Sequence, residues 1–87
     1  MSGAFKQDSG TVTPPYQATF TQADITVANI YPLIHGLDGY PSGITVWDSF
    51  GQVMGPDNIE NVSINTASVY LTSFVPIVGT WTVSATL

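Results

Sequence analysis

The chain reads as an all-β domain, a small antiparallel β-sandwich or barrel preceded by an extended N-terminal arm. Three observations predict this. Short runs of β-branched and aromatic residues are separated by turns rich in Gly, Pro and Asn. Residues 80–87 alternate strictly between apolar and hydroxyl side chains. No stretch carries a sustained helical period. On this reading residues 1–16 form the arm and residues 17–87 the compact β domain.

The arm, MSGAFKQDSGTVTPPY, is rich in Ser, Gly, Thr and Pro. Pro14 and Pro15 favour an extended, polyproline-like backbone. Phe5, Val12 and Tyr16 are apolar anchors that a plain spacer does not need, so the segment is expected to dock on a neighbour. Strand character begins at Gln17, where Ala18 and Phe20 alternate with Thr19 and Thr21. Thr21 and Asp24 match a loose capping box, which would start a short helix across residues 21–30, but the β-branched content opposes it. Residues 25–27 alternate again, and residues 29–34 continue in extended form. Pro32 cannot donate to a ladder, which assigns this strand to an edge or a bulge.

Residues 35–57 hold the hairpin around which the rest is arranged. Gly36, Gly39, Pro41 and Gly43 punctuate a loop, residues 44–47 form a strand, residues 48–51 turn, and residues 52–54 run back. Ile44 and Val46 share one strand face and Trp47 takes the other, so this strand is expected to be covered on both sides. Residues 55–58 read as a turn, residues 59–64 as a strand, residues 65–67 as a turn, and residues 68–71 as a strand. An apolar loop over residues 73–79 is broken by Pro76. In the last strand Trp81, Val83, Ala85 and Leu87 form the apolar face. A one-residue slip would turn Trp81 outward, so the register should be firmly set.

Composition narrows the function classes. The chain has 87 residues, 44% hydrophobic and only 8% charged, against about 25% charged in ordinary soluble domains. So small a domain with so few charges is expected to rely on partners to cover its surface and to gain stability by oligomerising. Cysteine is absent and histidine occurs once, which leaves no thiolate ligands and a poor donor set for zinc. The formal charge is −5, with Lys6 as the sole cation. Nucleic-acid binding needs cations to displace phosphate counterions, and anionic membranes need them too, so neither partner is expected. No apolar run is long enough to span a bilayer, and no signal peptide is expected at the N-terminus.

His35 has no nucleophile-and-orienter context, so its ring is expected to bond a loop backbone. Asp48, Asp57 and Glu60 lack calcium-loop spacing. Paired carboxylates for glycoside hydrolysis would need a cleft that a chain this small has little room for. No catalytic residue, metal site or cofactor is assigned, and the chain is expected not to be an enzyme. Asn61-Val62-Ser63 matches a glycosylation sequon and is read as chance. Tyr31, Tyr40, Trp47, Phe50 and Tyr70 would suit either a sugar-stacking platform or core and interface positions, and the second reading is preferred.

One resemblance covers about three quarters of the chain. Phe20, His35-Gly36-Leu37 with Pro41, Ile44-Thr45-Val46-Trp47-Asp48, Gly51-Gln52-Val53, Pro56-Asp57-Asn58-Ile59 and Gly79-Thr80-Trp81-Thr82-Val83 carry it. In these motifs the chain resembles a small β domain that recurs in virion proteins of tailed phages. The resemblance implies a virion role, commonly as a trimer, either in a small accessory capsid protein or in a fibre tip. The leading expectation is a capsid cement (decoration) protein on the capsid exterior. As a homotrimer it would bridge major capsid protein subunits through Phe5, Val12, Pro14, Pro15, Tyr16, Tyr40, Trp47 and Phe50. A receptor-binding module contacting a glycan through Tyr40 and Phe50 is the alternative. A small hydrolase or calcium-dependent lectin ranks third.

Overall fold

Seven strands and one short 3-10 turn make up the fold in the computed structural model, which describes residues 15–87. The strands are β1 (Tyr16–Phe20), β2 (Ile30–Ile34), β3 (Gly43–Trp47), β4 (Val53–Met54), β5 (Asn58–Ser63), β6 (Thr66–Tyr70) and β7 (Trp81–Thr86). They form two antiparallel sheets, one in the order β1-β7-β3-β4 and the other in the order β2-β6-β5. Two separate sheets packed on each other are a sandwich, which decides between the two predicted architectures.

Period-two alternation produces the core. Trp81, Val83 and Ala85 of β7 are buried while Thr82 and Ser84 face outward. Their partners in β1 and β3 fall on the same inner face: Phe20 opposite Trp81, and Val46 opposite Val83. Leu33 of β2 and Ala67 and Val69 of β6 supply the facing layer, joined by Leu71, Ile25 and Ile77. Each large side chain so buried contributes about 1.5–3 kcal/mol. The apolar face of β7 ends at Ala85. Leu87, expected to continue it, lies past the strand and is 49% exposed.

Pro32 does sit in an edge strand, where a missing donor costs least. Four local expectations are corrected. The helix that the capping pattern would start across residues 21–30 is one turn, Gln22–Asp24, in which the Thr21 N–H donates to Asp24 Oδ2 at 2.9 Å. Residues 25–27 are not a strand. Thr26 N–H bonds the Ile30 carbonyl and Asn29 adopts φ of 65°, so the chain closes a tight turn with Val27 at its tip. The turn placed at residues 65–67 ends one residue earlier, because Thr66 and Ala67 already pair with β2. The turn placed at residues 55–58 likewise ends early, since Asn58 opens β5.

Candidate functional site

The strand directions define two ends. β3 runs from Gly43 to Trp47 and β7 antiparallel to it from Trp81 to Thr86. The β3–β4 turn and the 72–80 loop therefore meet at one end, and the 35–42 loop, the β5–β6 turn and the start of β1 meet at the other.

At the first end lies a cleft of about 220 Å³, lined by Asp48, Ser49, Phe50, Phe74, Pro76, Ile77, Val78 and Trp81. Asp48 builds the turn by accepting from the N–H groups of Phe50 and Gln52, both at 2.9 Å and both on Oδ1. Gly51, with φ of 81°, completes it. The aspartate cap holds the turn closed and leaves Phe50 at its tip, 86% exposed. Across the cleft the Ile77 N–H donates to Gln22 Oε1 at 2.8 Å, pinning the 72–80 loop to the 3-10 turn. Gly79 has φ of 74°, and a Cβ there would lie 2.9 Å from Ser49 Cβ, so turn and loop touch at this point. Phe74 packs edge-on to Trp81 at 6.1 Å, and Trp81 leans on Phe20, which stacks on Tyr31 at 4.1 Å. This aromatic chain joins both sheets behind the cleft. Burial, with smaller repulsion from Tyr16 and Asp24, raises the Tyr31 phenol above its ordinary value.

Two further polar clamps lie outside the cleft. Ser73 donates to Asp57 from both its hydroxyl and its backbone N–H, which holds the carboxyl below its ordinary value. The Tyr70 hydroxyl donates to Glu60 Oε1 at 2.9 Å, and this bond, reinforced by the carboxylate charge, raises the phenol. At the opposite end the Leu37 N–H donates to His35 Nδ1 at 3.1 Å, so the histidine does bond a loop backbone. With Nδ1 accepting, Nε2 carries the proton, and it is buried without a partner among the described residues. No three His, Asp or Glu side chains among the described residues converge as metal ligands would. No helix among them is long and apolar enough to cross a membrane.

Among the described residues, the predicted binding positions do not lie together. Phe5, Val12 and Pro14 lie outside the described residues. Pro15 is exposed immediately before β1. Tyr16 belongs to the first strand rather than to the arm, half-buried and paired with Ala85. Tyr40, 61% exposed, stands on the 35–42 loop at the end away from Phe50. The two aromatic loops therefore make no joint platform. Trp47 is half-buried on the outer face of the four-stranded sheet, between Thr82 and Val53. That face, which also carries Gln17, Thr19, Thr45 and Ser84, bears no charge. Sequence reasoning missed Asp48, Phe74, Val78 and Trp81 as cleft residues. The available signal was the apolar character of the 73–79 loop, since a loop rich in Phe, Val and Ile departs from the polar norm. Comparison with known protein families, curated proteins and solved structures finds no match for this chain.

Proposed function

We propose that this chain is a non-enzymatic assembly module: a cement protein that binds the exterior of a phage head and bridges neighbouring major capsid subunits, acting as a trimer. The observation that carries the reading is the exposure of large apolar side chains on a domain almost without charge. Phe50 and Val78 at one end, and Ile34, Tyr40 and Ile64 toward the other, are all exposed. Exposed apolar groups at both ends suit a piece that is covered by neighbours on more than one side. The described body carries Asp24, Asp38, Asp48, Asp57 and Glu60 and no Lys or Arg. Such a surface is complementary to a basic patch on a capsid. Binding only to the assembled lattice would stabilise that lattice by mass action, and many weak contacts would reinforce one another there.

Quantitative mass spectrometry of purified phage particles tests this. A copy number in simple ratio to the major capsid protein is expected. Absence from the particle overturns the reading. A few copies in multiples of three would favour the second reading, a fibre-tip module, for which the aromatic cleft of Phe50, Phe74 and Trp81 is the specific support.

A further inference from the structure

The cleft specifies its occupant. Its volume of about 220 Å³ falls below the roughly 300–1,000 Å³ of pockets that take small molecules. Phe50, Phe74 and Trp81 line it together with Pro76, Ile77 and Val78, so it suits a single aromatic or aliphatic side chain. Asp48 is the one ionisable group lining it. Both turn-closing bonds fall on Oδ1, which leaves Oδ2 with acceptor capacity toward a cation. The matching ligand is therefore an apolar side chain with a cation next to it.

This chain contains that pair once. Lys6 is its sole cation, and Phe5 precedes it. Neighbouring residues of an extended segment point to opposite sides, so Phe5 can enter a cleft while Lys6 stays at the mouth. The origin of the segment favours a neighbour's cleft. β1 begins at Tyr16 beside Ala85, at the end of the sandwich remote from the cleft, and runs toward it. The described chain thus begins at the far end. Reaching its own cleft would require reversing and then passing the full length of β1. Eleven residue steps separate Phe5 from Tyr16, a reach of up to about 36 Å, which is ample for a neighbour.

We propose that Phe5 of one copy docks in the cleft of the next, with Lys6 paired to Asp48, so that copies join head to tail. Such a heterologous contact closes into a ring when its rotation permits, and a ring of three is the trimer of the assembly reading. The inference rests on that reading only in assigning the arm to assembly. Its test uses purified protein in solution, so its failure is separate from the particle copy number.

The test is a complementation in analytical ultracentrifugation with full-length protein. The unaltered chain should sediment as a closed oligomer. Phe5→Ser removes the plug and leaves the cleft intact. Val78→Lys leaves the arm intact and places a cation at the cleft, at a side chain 77% exposed and so dispensable for folding. Each variant alone should be monomeric, with self-association weakened by at least about tenfold. Mixed, they should form a one-to-one dimer, because one variant offers an intact arm and the other an intact cleft. Circular dichroism confirms that both variants fold. A monomeric unaltered chain, undiminished assembly of Phe5→Ser, or a mixture that stays monomeric would each overturn the proposal. Undiminished assembly of Phe5→Ser, with Val78→Lys monomeric, would point instead to a symmetric cleft-to-cleft contact.

Discussion

The two ends of the sandwich are closed by different means. At the cleft end, side chains do the tying: Asp48 caps its turn, Gln22 holds Ile77, and Phe20, Tyr31, Phe74 and Trp81 pack in a row. At the other end backbone bonds carry most of the ties between segments, beside the side-chain bond that Asn65 Oδ1 accepts from Asp38. The Asn65 carbonyl accepts from both His35 and Gly36, Ile64 accepts from Gly39, and the Thr86 carbonyl accepts from Ser42. A closure made of backbone bonds is insensitive to which side chains decorate it. A closure made of side chains can leave one of them unspent, and Phe50 and the cleft are what remains over. The comparison teaches that the end carrying the cleft is the one whose stability depends most on side-chain identity.

Substitutions at the cleft end should therefore cost more. Phe20→Ala removes a ring that is 1% exposed and that links both sheets. The loss should be about 3–5 kcal/mol in urea unfolding, enough to leave so small a domain near the edge of folding. A loss below about 1 kcal/mol would mean that the aromatic row is not what joins the sheets. Gly79→Ala comes next. It puts a side chain on a positive φ and drives its Cβ to 2.9 Å from Ser49 Cβ. The cost should be about 1–3 kcal/mol, with amide shifts concentrated in residues 48–51 and 73–80.

What was legible in the sequence follows the same division. β7 was readable from Trp81 to Ala85 because a strand inside a sandwich has its two faces in different media, and that difference is written as alternation. Pro32 announced an edge because a missing donor has few other places to go. Residues 25–27 misled, since three alternating residues do not distinguish a strand from the rim of a turn. Asn29 in a left-handed conformation settles the matter only once Thr26 is seen to bond Ile30. The cleft as a site was not legible, although Phe50, which lines it, stood out in the sequence. Ser49 and Gly79 are thirty positions apart, and no local pattern states that they touch. Otherwise only the surplus of apolar residues in the 73–79 loop left a trace.

The backbone-closed end should tolerate more. Asn65→Ala keeps the carbonyl that accepts from His35 and Gly36 and loses only Oδ1, which accepts from the Asp38 N–H at 2.8 Å. The expected loss is about 0.5–1.5 kcal/mol, with faster hydrogen exchange confined to Asp38 and its neighbours. A larger loss than that of Gly79→Ala would reverse the ranking of the two ends.

The smallest effect is in the pH dependence. Asp57 has its folded value held down by Ser73. Its contribution is therefore present above the ordinary carboxylate value of 3.8 and fades as the pH falls through the depressed folded value. Tyr70 and Tyr31 behave oppositely. Their folded values are raised above 10.0, so their contribution is present below that pH and is lost as the pH rises through the folded values. For Tyr70 the reason is that ionisation would set a phenolate against Glu60; for Tyr31 it is burial first. Stability followed by urea midpoint against pH should thus show a shallow acid limb and an alkaline limb. Ser73→Ala should shrink the acid limb alone. Glu60→Gln should shrink the alkaline limb while leaving the Tyr31 share, because only Tyr70 leans on that carboxylate. Should Ser73→Ala leave the acid limb unchanged, the Asp57 clamp is screened away in solution, and the side-chain ties that matter are those of the aromatic row and the Asp48 turn.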